Sequence, residues 1–289
     1  WYESSQLALQ QLKDQNKKAE AKKKELEAFI ARFSANLSKS RQATSRKKLL
    51  EKLNIEEIEP STRRYPYVDF KITRECGNDI LIVENLTKKP YFENLSFTVD
   101  KNDKIVFLSD NTLVTTTLFD VLMGKTEADF GTIKWGVTIT SDYMPGDNSE
   151  YFNKLGMNMC DWIRQYSGDE QTDTFVRGWL GRMLFSGDDV FKEVSVLSGG
   201  EKVRLMLAKL MLSGANVILL DDPSNHLDLE TITSLNNGMI RYKGNLLFTS
   251  HDHEIISTVA NRVISFKNNE IIDRKMTYEE YLERFEREH

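Results

Sequence analysis

The fold is decided by two closely spaced segments, Val196-Leu197-Ser198-Gly199-Gly200-Glu201 and Asn216-Val217-Ile218-Leu219-Leu220-Asp221-Asp222-Pro223-Ser224-Asn225-His226-Leu227-Asp228. In the first segment, a serine and two glycines open a run with helical apolar spacing. A helix N-terminus carries free N–H groups and a partial positive charge, and small residues let an anion approach the backbone closely. The first segment therefore predicts an anion-binding helix start at Ser198–Glu201.

The second segment is a continuous apolar run that ends in two carboxylates and a proline turn. Such a run is typical of a strand buried on both faces of a parallel sheet. The carboxyl edge of a parallel α/β sheet is where acids can meet a magnesium–phosphate group. Asp221 and Asp222 are therefore expected at a ligand-binding sheet edge.

Together, the two segments resemble the signature, Walker B and D-loop motifs of the ATP-binding cassette (ABC) superfamily, in the family's order and at about its separation. The resemblance implies an α/β fold, an ABC-type P-loop NTPase cassette with a RecA-like core, an antiparallel β-subdomain and a helical subdomain at about 147–193. It also assigns roles: Ser198, Gly199, Gly200 and Glu201 as the signature that contacts ATP held by a partner cassette, Asp221 as a Mg²⁺ ligand, Asp222 as the catalytic base, Asn225 and Asp228 as D-loop residues, and His251 as the switch histidine.

The segment Ser109–Leu118 occupies the place of a phosphate-binding loop, between a buried strand at Ile105–Leu108 and an apolar helix. The template G-x-x-x-x-G-K-[ST] is largely unmet, because Ser109 and Val114 replace the glycines and Thr115 replaces the lysine. A β-branched residue resists positive φ, and a lost charged hydrogen bond of about 1.5–3 kcal/mol weakens binding about ten- to a hundred-fold. The remaining candidates for weak ATP contacts are Ser109, Asn111, Thr115, Thr116 and Thr117, with Thr116 as a second Mg²⁺ ligand. A purely structural loop without nucleotide stays an alternative.

Three further departures from the family pattern concern the same site. Met144-Pro145-Gly146-Asp147 stands where the family has a glutamine. Asp222 is one methylene shorter than the family's glutamate, and a general base must reach its proton within about 3 Å. Tyr91 is the candidate for stacking on adenine. The sequence therefore predicts slow or absent hydrolysis at this domain's own site.

The N-terminal part, residues 1–65, reads as two helices joined near 34–40 into a hairpin, followed by a connector broken by Pro60. Basic residues with few acids among them cluster toward the tip: Arg32, Lys39, Arg41, Arg46, Lys47 and Lys48. This cluster favours contact with RNA phosphates, without base reading because no aromatic platform accompanies it. A solvated coiled-coil arm is the alternative. Beyond Pro66, the alternation of Val68, Phe70 and Ile72 predicts an edge strand.

Composition limits the class of protein. The chain has 289 residues, a net charge of −5 and 40% hydrophobic residues, enough for one substantial core and an appendage. No apolar run approaches the roughly 20 residues that span a bilayer, so membrane insertion is not expected. Two unpaired cysteines and the absence of a signal peptide indicate the cytoplasm, and a start at Trp1 suggests an excised fragment.

A basic helical hairpin directly before a cassette resembles the ABC-F branch, with a linker at 1–65 and a second cassette at 66–289. The resemblance implies an ATPase whose partner is an N-terminal cassette of the same chain and whose target is the ribosome with its tRNA. The isolated piece is expected to be a monomer or weak homodimer. The alternatives are an ATP-binding subunit of a transporter, an SMC-type repair ATPase and a nucleotide-free scaffold.

Overall fold

The computed structural model describes most of the chain after residue 63 and part of what precedes it: residues 14, 17–28, 30–31, 47–48, 50, 64–267 and 270–285. The chain separates into two compact units, Trp1–Thr62 and Arg63–His289. In the first unit, residues 17–28 are helical and Leu26 is buried. Lys47 and Lys48 are helical and exposed, whereas Arg32, Lys39, Arg41, Arg46 and the expected hairpin tip lie outside the described residues.

The second unit contains two sheets. Their strands are β1 (Leu81–Lys88), β2 (Phe92–Val99), β3 (Lys104–Ser109), β4 (Phe130–Trp135), β5 (Ser141–Met144), β6 (Val217–Leu220), β7 (Asn245–Phe248), β8 (Arg262–Lys267) and β9 (Glu270–Arg274). A three-stranded antiparallel sheet has the order β2-β1-β4, and a six-stranded sheet has the order β5-β6-β7-β3-β8-β9. In the larger sheet, β5, β6, β7, β3 and β8 are parallel, and β9 joins β8 antiparallel.

Helices cover the larger sheet on both faces, which is why β6 and β7 are buried along their whole length. The α-helices described in the second unit are α1 (Thr112–Leu122), α2 (Met159–Arg164), α3 (Asp173–Arg182), α4 (Gly199–Ser213), α5 (Leu229–Arg241), α6 (His253–Val259) and α7 (Tyr278–Phe285). Short 3-10 helices occur at Ser149–Phe152, Gly187–Phe191 and Val194–Val196. No helix within the described ranges combines the length and apolar character needed to cross a bilayer.

The predicted edge strand at Val68, Phe70 and Ile72 is wrong. Residues 64–72 adopt no regular structure, although Val68 and Phe70 are only 2% and 5% exposed. The alternation reflects burial of every second side chain in the core. A backbone group of this segment instead pairs with a helix: Tyr67 N donates to the carbonyl oxygen of Arg182, the last residue of the helix Asp173–Arg182, at 2.7 Å.

Candidate functional site

The helix start at Ser198 is built by a reciprocal cap. The Ser198 hydroxyl accepts from Glu201 N at 3.3 Å, and the Glu201 carboxylate accepts from Ser198 N at 2.8 Å. Burial opposes ionisation of Glu201, but the hydrogen bonds from Ser198 and the nearby charges of Lys192 and Arg204 hold the pKa of its carboxyl below the usual value. The result is an ordered N-terminus on α4 with Ser198 and Gly199 exposed.

The two glycines of this start are required by the turn that follows β6. A Cβ on Gly200 would lie 2.7 Å from the carbonyl oxygen of His226, and one on Gly199 would lie 3.1 Å from the His226 ring. Side chains at either position would therefore press on the D-loop of the same domain. The geometry places the predicted signature and D-loop residues side by side on one surface.

Asp221 follows β6 and is only 5% exposed. Its carboxylate accepts from the Thr116 hydroxyl at 2.6 Å and from the Thr249 hydroxyl at 2.8 Å. Thr249 also accepts from Asp222 N at 2.8 Å, so one hydroxyl ties the two acids to the end of β7. Thr116 and Asp221 are thus placed so that both could ligate Mg²⁺, although no group of three or more His, Cys, Asp or Glu among the described residues is arranged to hold a metal.

Asp222 has the left-handed backbone conformation, with φ of 45°. This φ is uncommon for a residue with a side chain and is held here by the bond from Asp222 N to Thr249 and by Ser224, whose hydroxyl lies 3.4 Å from the Asp222 carboxylate. Asp222 and the exposed His251 both line a cavity of about 570 Å³, together with Asp221 and Thr116. The structure therefore gathers the predicted base, switch histidine and metal ligands around one cavity.

The predicted phosphate loop is helical over most of its length. α1 already begins at Thr112, with Asn111 as its N-cap accepting from Leu113 N at 3.1 Å. Thr115, at the family's lysine position, is 4% exposed, and its hydroxyl donates to the carbonyl oxygen of Thr112 at 3.0 Å. The Thr115 hydroxyl is therefore engaged by the backbone of its own helix, and the side chain carries no positive charge for a phosphate. Of the five candidates in this segment, Thr116 alone makes a hydrogen bond to the acid pair.

The acidic side chains that line this cavity also make it unfavourable for the negatively charged phosphates of ATP. Among the described residues that line it, four are aspartates and none is lysine or arginine: Asp110, Asp147, Asp221 and Asp222. A hydrogen bond from Ser149 N lowers the pKa of Asp147, which favours its charged form. The residues fit a magnesium ligand pair but do not fit the phosphates of ATP, so no chemical step is assigned to nucleotide bound here.

Tyr91 lines another cavity of about 650 Å³, together with Phe266 and Val114. Ser109, Asp110 and Asn111 line this cavity too. Its position beside α1 is consistent with the predicted stacking role of Tyr91, which stays a prediction.

The two D-loop candidates differ in their contacts. Asp228 caps α5 by accepting from Thr231 N at 2.8 Å and lies 3.6 Å from Arg204 of α4. Its carboxylate is therefore engaged in structural contacts. Asn225 is exposed and lines the 570 Å³ cavity as well as a smaller one of about 210 Å³ beside Gly199.

Sequence reasoning missed Thr249 and His226. Thr249 precedes the Ser-His-Asp-His run, and only the packing of β7 beside β6 shows that its hydroxyl reaches both acids. His226 belongs to the quoted D-loop segment, but its backbone contact with Gly200 depends on how two distant turns meet. No local sequence signal could have identified either contact.

Comparison with known proteins gives matches over most of the chain. Residues 1–70 and residues 92–225 each match a family model described as ABC transporter. The ABC transporter ATP-binding protein YkpA of Bacillus subtilis is 58% identical over 287 residues, which are 98% of this chain and 53% of that protein. The energy-dependent translational throttle protein EttA of Escherichia coli is 31% identical over 72% of this chain and 39% of that protein.

A more distant relative is ABC transporter F family member 5 of Arabidopsis thaliana, 29% identical over 94% of this chain and 40% of that protein. The chain thus spans about half, or less, of the length of these relatives. Among solved structures, a dimeric post-hydrolysis ATP-binding cassette bound to ADP and Pi is 14% identical, with a TM-score of 0.57 over 68% of this chain and 99% of that chain. At that identity the likeness shows the fold alone.

Proposed function

Because the chain contains an ABC-type ATP-binding domain, we propose that it is the linker and second cassette of an ABC-F ATPase that acts on the ribosome as a translation factor or ribosome-protection protein. In this proposal residues 1–65 are the linker and residues 66–289 the cassette, with its helical subdomain at about 147–193. An N-terminal cassette of the same protein is the partner that completes the ATP site. Support comes from relatives named as an F family member and as a translational throttle protein.

The observation that supports the proposal best is a difference between two parts of this domain that would contact ATP: the signature at Ser198–Glu201, which would contact the partner's ATP, and the phosphate segment Ser109–Thr117, which would hold the domain's own. We call these two parts the half-sites. The signature helix has a complete cap at Ser198 and exposed small residues. The domain's own phosphate segment is helical from Thr112, buries Thr115 and lines an acidic cavity. Such a domain can serve ATP held by a partner far better than ATP of its own.

In the proposed paired site, ATP held by the partner would supply the scissile phosphoanhydride bond together with its Mg²⁺. The N-terminus of α4 directs backbone N–H groups and a partial positive charge at the phosphates, and the Ser198 cap keeps that terminus ordered. Ser198 and Gly199 are exposed, so a ligand can approach the backbone at the start of α4. Closure of the pair would move the linker against RNA, and hydrolysis would release it.

The first test separates the two half-sites. Calorimetry with Mg-ATP on this chain should show affinity about ten- to a hundred-fold weaker than that of a cassette with an intact loop. In the full-length protein, Ser198→Arg should abolish ATP turnover, whereas Asp222→Asn, at the weak site, should leave most of it. Equal losses from the two substitutions would refute the division of roles.

The second test concerns the RNA target. Ribosome pelleting should weaken when Lys47 and Lys48, both exposed, are changed to glutamine. The matched control is Lys22→Gln with Lys23→Gln, since these residues are also exposed lysines of the same unit and Lys22 pairs with Glu25 at 3.3 Å. Equal pelleting of all variants at several salt concentrations would contradict an electrostatic contact with RNA.

A transporter subunit is the alternative function, and the printed name of the 58% identical relative favours it. A transporter subunit would copurify with membranes, whereas the ABC-F proposal expects a cytoplasmic protein that cofractionates with ribosomes. Sedimentation of the isolated chain should give a monomer or a weak homodimer.

A further inference from the structure

An irregular segment, residues 64–73, precedes the first strand of the cassette, and we name it the anchor strap. It forms no strand, but it is firmly attached, since Val68 and Phe70 are buried and its ends are hydrogen-bonded. The chain runs directly from the anchor strap into the N-terminal unit. The contacts that hold the anchor strap in place therefore also hold the point where the chain enters the cassette.

The first attachment is to the end of α3. Tyr67 N donates to the carbonyl oxygen of Arg182 at 2.7 Å. The Arg182 guanidinium lies 5.5 Å from the centre of the Tyr67 ring and 4.3 Å from the centre of the Trp179 ring. Arg182 thus contacts both rings, an arrangement favoured by cation–π attraction.

The second attachment is to the end of α4. Thr73 N and the Thr73 hydroxyl both donate to the carbonyl oxygen of Gly214, at 3.0 and 3.1 Å. Gly214 is the C-cap of α4 with φ of 60°, and a Cβ there would lie 2.3 Å from a Thr73 methyl carbon. Asp69 N also lies 3.2 Å from the sulfur of Met211, in the last turn of α4.

The third attachment is to the end of α5. Arg241 Nη2 donates to the carbonyl oxygen of Val68 at 3.0 Å, and a Cβ on Gly238 would lie 3.0 Å from that same oxygen. The backbone of the anchor strap therefore fits against the last turns of α4 and α5 without room for additional atoms.

The opposite ends of α4 and α5 lie at the proposed partner-facing surface. α4 begins after Ser198 and α5 after Asp228, and the 3.6 Å contact between Arg204 and Asp228 joins them there. With 15 and 13 residues, these helices are about 22 and 20 Å long. Each helix therefore has the signature or the D-loop at its N-terminal end and contacts the anchor strap at its C-terminal end.

We propose that the anchor strap transmits movement of the signature surface to the N-terminal linker, through α3, α4 and α5. The inference rests on the proposed function, because that function requires the linker to respond to closure of the cassettes. It adds the route: displacement of Ser198 and Asp228 moves the far ends of α4 and α5, and Val68 and Thr73 move with those ends. Tyr67 follows through α3, because Trp179 Nε1 of α3 donates to the carbonyl oxygen of Ala208 in α4 at 3.0 Å. Since no side chain of the anchor strap belongs to the ATP site, this role is separable from ATP turnover.

The test compares the double variant Arg182→Ala/Arg241→Ala, which removes the side-chain contacts of the anchor strap with α3 and α5, with Arg177→Ala in the full-length protein. Arg177 is an exposed arginine of α3, the helix that contains Arg182; it lies 5.7 Å from the Phe191 ring and makes no described contact with the anchor strap. Hydrogen–deuterium exchange with and without Mg-ATP is measured over 64–73 and over 17–28, alongside ATP turnover.

In the double variant, amides of the anchor strap should exchange about two- to five-fold faster. The ATP-dependent change over 17–28 should be lost, while turnover stays within about two-fold of that of the unmodified protein. Arg177→Ala should retain the change. If the ATP-dependent change in exchange over 17–28 persists in the double variant, the inference is overturned. It is also overturned if the unmodified protein hydrolyses ATP but shows no change in exchange over 17–28. An unmodified protein with neither turnover nor response would instead refute the proposed function and this inference with it.

Discussion

At the scale of single residues, alanine substitutions at two glycines should change the free energy of unfolding in opposite directions. The difference arises because Gly200 approaches the D-loop closely and Gly178 does not. Gly200→Ala places a Cβ 2.7 Å from the carbonyl oxygen of His226, so overpacking should lower the free energy of unfolding by about 1–3 kcal/mol. Gly178→Ala, in α3 with nothing within 4 Å of the new Cβ, should raise it by about 0.5–1 kcal/mol. Urea denaturation measures both, and a stabilising Gly200→Ala would show that the D-loop is not held against α4.

Thr249 gives the second prediction at this scale. Thr249→Val keeps the shape of the side chain but leaves Asp222 N and one oxygen of the Asp221 carboxylate without this hydroxyl. The free energy of unfolding should fall by about 1–3 kcal/mol. Thr249→Ser retains the hydroxyl and should lose clearly less. Equal losses in chemical denaturation would assign the effect to packing of the methyl group.

At the scale of secondary-structure elements, the cap of α4 predicts a dependence on pH. The pKa of Glu201 is lower in the folded protein than in the unfolded chain. Its contribution is therefore fully present above the usual glutamate pKa of about 4.3 and is lost as the pH falls through the lower, folded value.

Glu201→Ala should accordingly cost about 0.5–2 kcal/mol at neutral pH, and the difference from the unmodified protein should shrink toward pH 3. Denaturation curves at several pH values measure this difference. A difference that stays constant from neutral pH down to pH 3 would contradict a role for the charged carboxylate.

The secondary-structure elements also show which features of the fold could be predicted from the sequence. The alternation in β2, the buried runs of β6 and β7 and the start of α4 at Ser198 were predictable, because each is encoded locally by apolar period or cap chemistry. The segment 68–72 was wrongly predicted as a strand, since burial of alternate side chains does not require a paired backbone.

The residues of the candidate site could be proposed from the sequence, but their geometry could not. The segment Ser109–Thr117 contains neither the glycines nor the lysine of the template. The template comparison did not reveal that α1 begins at Thr112 and turns Thr115 inward. That outcome depends on packing of α1 under the antiparallel sheet, which no local pattern specifies.

At the scale of the whole molecule, Arg262 joins the two sheets. It is buried, pairs with Asp103 and Asp273 at 2.7 and 2.6 Å, and donates to the carbonyl oxygen of Thr98 in β2 at 2.7 Å. Arg262→Met leaves both acids without their arginine partner and should cost about 3–5 kcal/mol. Arg262→Lys should restore only part of that stability, because an ammonium cannot reproduce the planar, five-donor guanidinium. Thermal denaturation with full recovery in Arg262→Lys would argue against the geometric explanation.

The whole molecule also gives a prediction about catalysis by the isolated chain. Its own cavity lacks lysine and arginine among the described lining residues, and the base proposed there is the short Asp222. Enzymes have a median turnover near roughly 10 per second, and the isolated chain should fall well below about 1 per second. A steady-state phosphate-release assay with Mg-ATP provides the measurement. Any residual rate that comes from this site should drop in Asp222→Asn. A residual rate that this substitution leaves unchanged would remove Asp222 from the role of base, and turnover of several per second would contradict the conclusion that the cavity does not fit the phosphates of ATP.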